Sequence, residues 1–352
     1  MEKISTIGLD IAKRVFQVHG VDDQGRVVVR KKLSRNELLE WFGKIAPCVV
    51  GIEACATSTY WAREIGKLGH NVRLIPPSYV KPYVRRQKND RVDAEAICEA
   101  VGRPAMRFVT LKTIEQQAIQ VLHRSRSLLI TQRIQHVNAL RAHMAEFGVI
   151  FPQGMAGATL AIKTLKEGND KSIPAFARNV LLSLVSQLEQ LKQEINKLDQ
   201  QMIAWHKTNA DSQRLASIPG IGHVTASAVL AAIGDGKQFK SAREFAAWLG
   251  LVPRQNSSGG KDCLGHISKK GDPYLRRLFV TGATTQLRGR RRDNAVGGTW
   301  FSSLLQRKTP RVATVALANK MARVAWALLT KSEAYRPTAS LPTNICFTEA
   351  AA

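Results

Sequence analysis

The sequence predicts an α/β N-terminal domain, then a long coiled-coil helix, then a mainly α-helical C-terminal domain. Three observations lead to this fold class. Stretches of alternating apolar and polar residues come between helical patterns in roughly the first 80 residues. Apolar residues then recur at heptad spacing between residues 181 and 205, and mostly helical patterns follow. A chain of 352 residues is long enough for two domains, or for one domain and an extended element.

The N-terminal strands are predicted by their alternating pattern. The first three strand-like runs are separated by short polar turns, which indicates an antiparallel meander. The first helix is predicted by Ser34, a good N-cap residue, with Glu37 three positions later. Because strands and helices then alternate, this half is expected to be α/β. The predicted elements are strands at 4–10, 15–21, 27–29, 48–52 and 71–75, with helices from 34, 57–69 and 113–147.

The long helix is predicted by one apolar stripe that follows a Gly-rich break at residues 151–157. Spacings of alternately three and four residues are typical of the a and d positions of a coiled coil. Because the other faces carry Gln, Glu, Lys and Asp, we expect the stripe to join copies of the chain in a homo-oligomer, a dimer or a tetramer. Packing against the core of its own chain is the alternative. The stripe consists of Leu181, Leu184, Leu188, Leu191, Ile195, Leu198, Met202 and Trp205.

The composition indicates a polyanionic partner. The chain has 52 Lys and Arg against 27 Asp and Glu, a formal net charge of +25, which favours nucleic acid as the partner. A membrane surface is the weaker interpretation, because no apolar run long enough to span a bilayer is evident. The N-terminus enters a strand pattern without a leader, so we expect a cytoplasmic protein. Five scattered cysteines indicate neither a disulfide framework nor a zinc site.

Four carboxylates are candidate metal ligands. Asp10 lies in an apolar strand, where a charge is costly unless it is compensated. Glu53 follows an apolar run and emerges at the carboxyl end of a strand, where α/β sheets place ligands. Asp90 and Asp93 are three residues apart on one face of a helix. Together they could hold two Mg²⁺ ions, with Mn²⁺ as a substitute, about 4 Å apart as in two-metal phosphoryl transfer.

Each of these acids also has an ordinary structural interpretation. Asp90 fits an N-cap, Asp93 a favourable charge in the first turn of a helix, and Glu53 an exposed strand end. Asp10 is the hardest of the four to explain without a metal ion. In a chain this basic, the four acids taken together favour the metal site.

These acids lie in motifs that resemble a known family. GLD at 8–10, GIE at 51–53 and NDRVDA at 89–94 resemble the Asp-Glu-Asp-Asp motif of the RuvC-like domain in the insertion-sequence one-ten family of transposases. LGLVPRQNSSGGK at 249–261 and GHISKKGDPYLR at 265–276 resemble its second domain, particularly in the one-one-one-one subgroup. The resemblance implies a RuvC-like, RNase H-like catalytic domain at 1–150 and a C-terminal transposase domain at 208–335. Between them the sequence pattern predicts a linker and coiled-coil arm at 151–207, and a stretch with several Pro, Thr and Ser predicts a mobile tail at 336–352.

The resemblance implies a serine nucleophile in the C-terminal domain. Ser258 matches the family serine that directly precedes glycine, and Ser257 is the alternative. Without the resemblance, a serine in a Gly-rich loop is most often a turn residue. The turn around Gly220 and Gly222 has the sequence of a helix-hairpin-helix that binds phosphate, or is an ordinary turn between helices. The cations expected to contact nucleic acid are Arg254, Lys261, Lys269, Lys270, Arg276 and Arg277.

The resemblance implies a recombinase that cuts and rejoins DNA. A serine ester retains the energy of the broken bond, so strand exchange needs no ATP, and the sequence has no phosphate-binding P-loop motif. The family also implies a composite site, in which one subunit's carboxylates face another's serine, and a non-coding guide RNA that pairs with DNA. The alternatives are a RuvC-like hydrolytic nuclease of the Holliday-junction resolvase type, and a non-catalytic nucleic-acid scaffold.

Overall fold

The structure, a computed structural model, describes residues 3–84, 90–261, 263–292, 300–331 and 333–336. The side chains of residue 90 and of residues 289–292 are outside this description, and so is the predicted mobile tail apart from Arg336. The chain forms two compact units, Met1–Thr113 and Ile114–Ala352, which are called unit 1 and unit 2 below.

Unit 1 is built on a mixed five-stranded sheet in the order β3-β2-β1-β4-β5. The first three strands form the predicted antiparallel meander, and β4 and β5 continue the sheet in parallel with β1. This topology is compatible with the RuvC-like fold that the motifs imply. The strands are β1 (Thr6–Ile11), β2 (Val15–Val21), β3 (Val27–Ser34), β4 (Val49–Glu53) and β5 (Asn71–Ile75).

The first helix begins later than predicted because β3 is longer than predicted. Ser34 still pairs with Val15 as the last residue of β3, so the helix starts at Glu37. The backbone N–H of Ser34 donates to the Glu37 carboxylate at 2.8 Å, which is one half of the expected capping box. The helices of unit 1 are α1 (Glu37–Gly43), α2 (Ser58–Lys67), α3 (Pro77–Val80) and α4 (Asp90–Val101), with a 3-10 turn at Lys81–Tyr83.

The two faces of the sheet are covered by different helices. Ile7 and Leu9 of β1 are fully buried in a core with residues of α1 and α2, among them Phe42 and Trp61. Because side chains alternate along a strand, Gly8 faces the opposite side, where it meets α4. The α4 side therefore receives every second residue of β1, Asp10 included.

Two glycines allow α4 to lie directly on the sheet. A Cβ atom at Gly8 would lie 2.1 Å from the carbonyl oxygen of Ala94 and 2.4 Å from the amide nitrogen of Cys98. At Gly51 it would lie 2.8 Å from the Cβ of Val101. Gly8 and Gly51 are register partners on neighbouring strands, so they form a strip without side chains against which α4 packs.

Unit 2 is mainly α-helical, as predicted, with one β-hairpin that was not predicted. The Gly-rich loop that contains Ser257 and Ser258 is part of this hairpin, which is formed by β6 and β7. The elements of unit 2 are α5 (Ile114–Ala145), α6 (Met155–Glu167), α7 (Ala175–Thr208), α8 (Ala210–Ala216), α9 (His223–Ile233), α10 (Ala242–Trp248), β6 (Pro253–Gln255), β7 (Leu264–Ile267), α11 (Pro273–Arg292), α12 (Trp300–Arg307) and α13 (Pro310–Lys331).

Among the described helices, α13 is the one long and apolar enough to cross a membrane by length and hydropathy. No such segment was expected from the sequence. Ala318, Met321 and Ala325 of α13 are buried in the largest core of unit 2, together with residues of α9, α10 and α11. A helix in the core of a soluble protein can have the same length and hydropathy, and the packing of α13 accounts for its apolar composition.

The apolar stripe of α7 packs against α5 of the same chain. Near one end Trp205 donates to the Glu115 carboxylate at 3.0 Å, and near the other His136 and Gln187 are hydrogen-bonded at 2.6 Å, so the helices are antiparallel. The packing seen in the chain is thus the intramolecular alternative, because a heptad pattern indicates helix packing without saying which chain supplies the partner. The buried members of the stripe are Leu181, Leu188, Ile195 and Met202.

The packing of α5 explains why the compact unit 1 ends at Thr113. The side chains of Gln116 and Gln120 donate to the carbonyl oxygens of Leu230 and Ala231 on α9, each at 3.1 Å. With α7 on one side and α9 on another, α5 is part of the helical unit.

The helix expected to run without interruption to residue 207 is divided into α6 and α7. Gly168 ends α6 in the left-handed conformation with φ 68°, and Pro174 occupies the N-cap of α7. A glycine that stops one helix and a proline that starts the next are typical boundary residues.

We expect Leu188→Ala to destabilise unit 2 rather than to dissociate an oligomer, because Leu188 is buried against α5. The free energy of unfolding should fall by about 2–5 kcal/mol, as measured by urea denaturation. Lys192→Ala, at an exposed position of the same helix, is the matched control and should change it by less than about 0.5 kcal/mol. A lower mass in light scattering with unchanged stability would instead support the oligomer arm.

We expect Gly8→Ala to destabilise unit 1 by at least about 1–3 kcal/mol, because the added Cβ meets the backbone of α4 rather than a side chain that can rotate away. Gly66→Ala in α2 is the control, since nothing lies within 4 Å of its Cβ position. That substitution should stabilise the helix by up to about 1 kcal/mol. Urea unfolding followed by circular dichroism compares the two. Wild-type stability of Gly8→Ala would contradict the close contact.

Candidate functional site

Asp10 and Glu53 lie side by side at the carboxyl ends of two parallel strands. The last register pair between β1 and β4 is Leu9 with Ile52, and the two acids are the next residue of each strand. Neighbouring strands are about 4.8 Å apart, so the two acids belong to one patch of the sheet surface. Asp10 shares a face with Gly8, and Glu53 shares a face with Gly51, which is the α4 side in both cases.

The N-terminal turn of α4 extends toward the same edge of the sheet. The Cys98 thiol lies 3.8 Å from the carbonyl oxygen of Thr6, whereas Ala94, one turn earlier, meets Gly8 two residues further along β1. Movement along β1 toward Asp10 thus corresponds to movement toward the start of α4. Asp93 lies in this first turn and is half-buried, as are Asp10 and Glu53.

The described carboxylates share a region but do not form a closed set of ligands. Within the described part of the chain, no group of three Asp, Glu, His or Cys side chains is close enough to hold a metal ion. The side chain of Asp90, the fourth predicted ligand, lies outside that part. The structure thus places Asp10, Glu53 and Asp93 on one side of the sheet and toward one edge, but it does not bring them into contact as a ligand set.

His19 lies on the same face of the sheet and was missed by the sequence analysis. It is the register partner of Gly8 on β2 and is 5% exposed. Burial has the largest effect on the pKa of His19 and lowers it. The charge of Glu95 on α4 raises this pKa, the charge of Arg30 lowers it, and the pKa as a whole is lowered. The net result is a neutral imidazole beside the acidic region at neutral pH. A histidine inside the strand pattern of β2 was the only signal for it in the sequence.

The serine motif forms the tip of the β6-β7 hairpin. The backbone N–H of Lys261 donates to the carbonyl oxygen of Ser258 at 3.1 Å, which closes a four-residue turn. The two central residues, Gly259 and Gly260, have φ angles of 57° and 75°. Positive φ at both positions is what a type I′ turn requires, and glycine adopts it without strain. The two glycines are therefore explained by the turn.

Ser257 and Ser258 have different environments. The Ser257 hydroxyl accepts the backbone N–H of Cys263 across the hairpin at 3.2 Å, so it helps to hold the two strands together. Ser258 is exposed at the tip, and no hydrogen bond of its hydroxyl is found within the described part of the chain. The sequence could not distinguish the two serines, whereas the hairpin gives them different hydrogen bonds and different positions in the turn.

The predicted cations divide into exposed and structural ones. Arg254, Lys261, Lys269 and Lys270 are exposed on or next to the hairpin, with Arg254 donating weakly to the carbonyl oxygen of Ser268 at 3.4 Å. Arg276 instead donates to the carbonyl oxygens of Leu249 at 2.9 Å and Lys270 at 3.0 Å, so its guanidinium ties two loops together.

Arg277, the remaining predicted cation, is exposed. Its guanidinium carbon lies 5.2 Å from the centre of the Tyr274 ring, a cation–π contact. Five of the six predicted cations are therefore exposed: the four at the hairpin and Arg277.

The two glycines of the predicted helix-hairpin-helix turn also differ. This turn joins α8 and α9. A Cβ at Gly220 would lie 2.7 Å from the carbonyl oxygen of Gly282 on α11, so Gly220 is needed for helix packing. Gly222 is exposed at the N-cap of α9, with nothing within 4 Å of its Cβ position. Of the two, Gly222 is the one that leaves backbone accessible.

Comparisons with known proteins agree with the motifs over most of the chain. Residues 7–149 match the transposase model for DEDD enzymes of the IS110 type, and residues 212–296 match the model of the transposase IS116/IS110/IS902 family. A probable family 20 transposase of Pseudomonas aeruginosa is 47% identical over 335 residues, covering 95% of this chain and 99% of its relative.

Two further relatives carry the names of insertion sequences. The transposase for insertion sequence element IS1328 of Yersinia enterocolitica is 38% identical over 335 residues, covering 95% of this chain and 99% of that one. The transposase for IS1111A of Coxiella burnetii is 38% identical over 336 residues, covering 96% and 92%. The chain therefore belongs to the IS116/IS110/IS902 family of transposases and is an enzyme that acts on DNA.

Proposed function

We propose that this transposase cuts and rejoins DNA through a covalent link between DNA and Ser258, assisted by divalent cations at Asp10, Glu53, Asp90 and Asp93. The observation that carries the proposal is the hairpin geometry of Ser258. Its hydroxyl is exposed at the tip of a tight turn, and the two following residues have no side chains that would obstruct a DNA backbone.

The proposed step is an in-line displacement at a phosphodiester. The Ser258 Oγ forms a bond to phosphorus while the bond from phosphorus to one strand oxygen breaks, and that oxygen leaves with the proton. The product is a serine phosphodiester on one strand end and a free hydroxyl on the other. Attack by a hydroxyl of a new strand reverses the step, so the bond energy is conserved without a nucleotide cofactor.

The exposed cations support this step by binding the DNA backbone. Arg254, Lys261, Lys269 and Lys270 are on or beside the hairpin, where positive charge is favourable for holding the reacting phosphate. We do not include Arg276 among the DNA-binding cations, because its guanidinium donates to two backbone carbonyl groups. Gly222, at the exposed start of α9, is a further place for a phosphate contact.

The carboxylates fit divalent cations by the chemistry of their donors. DEDD transposases generally use divalent metal ions, and carboxylate oxygens are the ligands that Mg²⁺ and Mn²⁺ prefer. Asp10, Glu53 and Asp93 share one side of the sheet, which supports a common role. Two Mg²⁺ ions would supply charge stabilisation at the attacking and leaving oxygens when bound. His19, neutral by burial, adds no repelling charge there.

The proposal includes two partners besides DNA. A non-coding guide RNA is supported by the family membership and is compatible with the net charge of +25. A homo-oligomer is supported by the same family argument, with the carboxylates of one subunit acting beside the serine of another. Because the α7 stripe packs on α5, that oligomer would use other surfaces.

We expect Ser258→Ala to abolish the protein–DNA adduct, because it removes the attacking oxygen. A denaturing gel with end-labelled DNA detects the adduct as a retarded, protease-sensitive band. Ser257→Ala is the matched control and should lower the yield only in part, because that hydroxyl supports the hairpin. If Ser258→Ala forms the adduct and Ser257→Ala does not, Ser257 is the nucleophile instead of Ser258. Free ends alone from the active wild type would favour a hydrolytic nuclease.

We expect Asp10→Asn to abolish DNA cleavage while DNA binding changes less than about threefold, because the substitution removes a ligand charge but leaves the basic surface intact. Asp23→Asn, in the exposed turn between β2 and β3, is the control and should cleave normally. Cleavage in Mg²⁺ and Mn²⁺ is measured with the labelled substrate, and binding by fluorescence anisotropy. Wild-type cleavage by Asp10→Asn would overturn the metal assignment.

A further inference from the structure

Unit 2 contains a cavity that no step above uses. It has a volume of about 390 Å³ and lies between α5, α9 and the start of α11. Pockets for small ligands usually measure roughly 300–1,000 Å³, so this one suits a single planar ring system better than a peptide or a helix. All of its lining residues are in the described part of unit 2.

One wall of the cavity is lined by small apolar side chains. Ala228, Ala231 and Ala232 line it from α9, and their spacing places them on one face of that helix. Because alanine has no side-chain atom beyond Cβ, a planar ring can stack closely against the helix. Leu128 of α5 adds apolar surface and is 58% exposed.

The polar groups of the cavity are held in fixed orientations. Gln120 donates its amide N–H to the carbonyl oxygen of Ala231, which leaves the amide oxygen as its acceptor. Asp272 accepts the backbone N–H groups of Tyr274 at 2.8 Å and Leu275 at 3.1 Å, so its carboxylate is fixed at the start of α11. Fixed acceptors suit the amino and ring N–H groups of a nucleobase edge.

The deep part of the cavity is uncharged. His123 is hydrogen-bonded to the Tyr274 hydroxyl at 2.9 Å and to the Ser227 hydroxyl at 3.1 Å. Burial lowers the pKa of His123 to about 4, with a smaller contribution from Arg126, so the imidazole is neutral at neutral pH. A neutral ring system can therefore enter without meeting a buried charge.

Positive charge lies at the mouth of the cavity. Arg124 lines it from α5 and is exposed, and Arg277 stacks on Tyr274 and reaches the Ser127 hydroxyl at 3.5 Å. Two exposed guanidinium groups beside an apolar slot favour a base that is still attached to its phosphate backbone over a free neutral metabolite.

We propose that this cavity holds one unpaired nucleobase of a bound DNA or RNA strand, with the flanking phosphates on Arg124 and Arg277 and an exocyclic amino group of the base donating to Asp272. The inference rests on the proposed function, because it needs a nucleic-acid partner, and it adds a base-binding site to it. Asp272 follows the end of β7 by five residues. The captured base would therefore belong to a nucleic-acid strand that passes next to the serine hairpin.

The test compares the binding of paired and bulged nucleic acids by the full chain. Fluorescence anisotropy measures the Kd for a fully paired duplex and for duplexes with one extra adenine or one extra thymine. A parallel set of RNA duplexes, with uracil in place of thymine, distinguishes the source of the base. We expect wild type to bind the adenine bulge about tenfold more tightly than the paired duplex and to prefer adenine over thymine or uracil.

Two variants locate the effect in the cavity. Ala232→Phe fills the cavity from the half-buried edge of α9 and should remove the preference for a bulge, whereas Ala232→Ser, of similar size, should keep it. Asp272→Asn should remove the preference for adenine. Because asparagine also caps helices well, that variant tests the cavity without loss of the α11 N-terminus.

The outcomes separate this inference from the proposed function. Tight binding of paired duplex without any preference for a bulge would overturn the base site and leave DNA binding intact. A bulge preference that survives Ala232→Phe, or an adenine preference that survives Asp272→Asn, would place the base elsewhere and would also overturn it. Failure of wild type to bind any duplex would contradict the proposed function itself.

Discussion

The arrangement of unit 1 depends on the close contact of α4 with the backbone of β1 and β4. Gly8 and Gly51 permit this contact, since any side chain there would push the helix away from the sheet. Each glycine stands two residues before an acid, Asp10 or Glu53, and residues two apart share a face of a strand. The residue that lets the helix approach and the acid two positions later thus belong to one short motif.

The corresponding constraint in unit 2 is the attachment of the serine hairpin to the helical core. A Cβ at Gly271 would lie 1.7 Å from the carbonyl oxygen of Trp248, so the chain leaving the hairpin runs directly against the end of α10. Arg276 strengthens this attachment through the carbonyl groups of Leu249 and Lys270. The tip with Ser258 therefore projects from a rigid base. The same segment continues into Asp272 and Tyr274, which line the cavity.

The helix pair α5-α7 shows how a strong pattern can have two structural outcomes. A heptad stripe is stable when it is covered, whichever chain supplies the cover. In this chain α5 supplies the cover, and polar pairs such as Trp205 with Glu115 set its antiparallel register. The family resemblance carried information about chemistry, but only the structure shows that α5 supplies the cover.

The sequence by itself determined the family, the α/β character of unit 1, its meander and the identity of the candidate acids, because alternation, N-caps and short motifs are local properties. The late start of α1, the hairpin at β6-β7 and the covering of the α7 stripe depend on partners distant in the chain. The same holds for the different environments of Ser257 and Ser258 and for the structural role of Arg276. Only the tertiary structure decided these, because a residue type does not specify which distant backbone group it will meet.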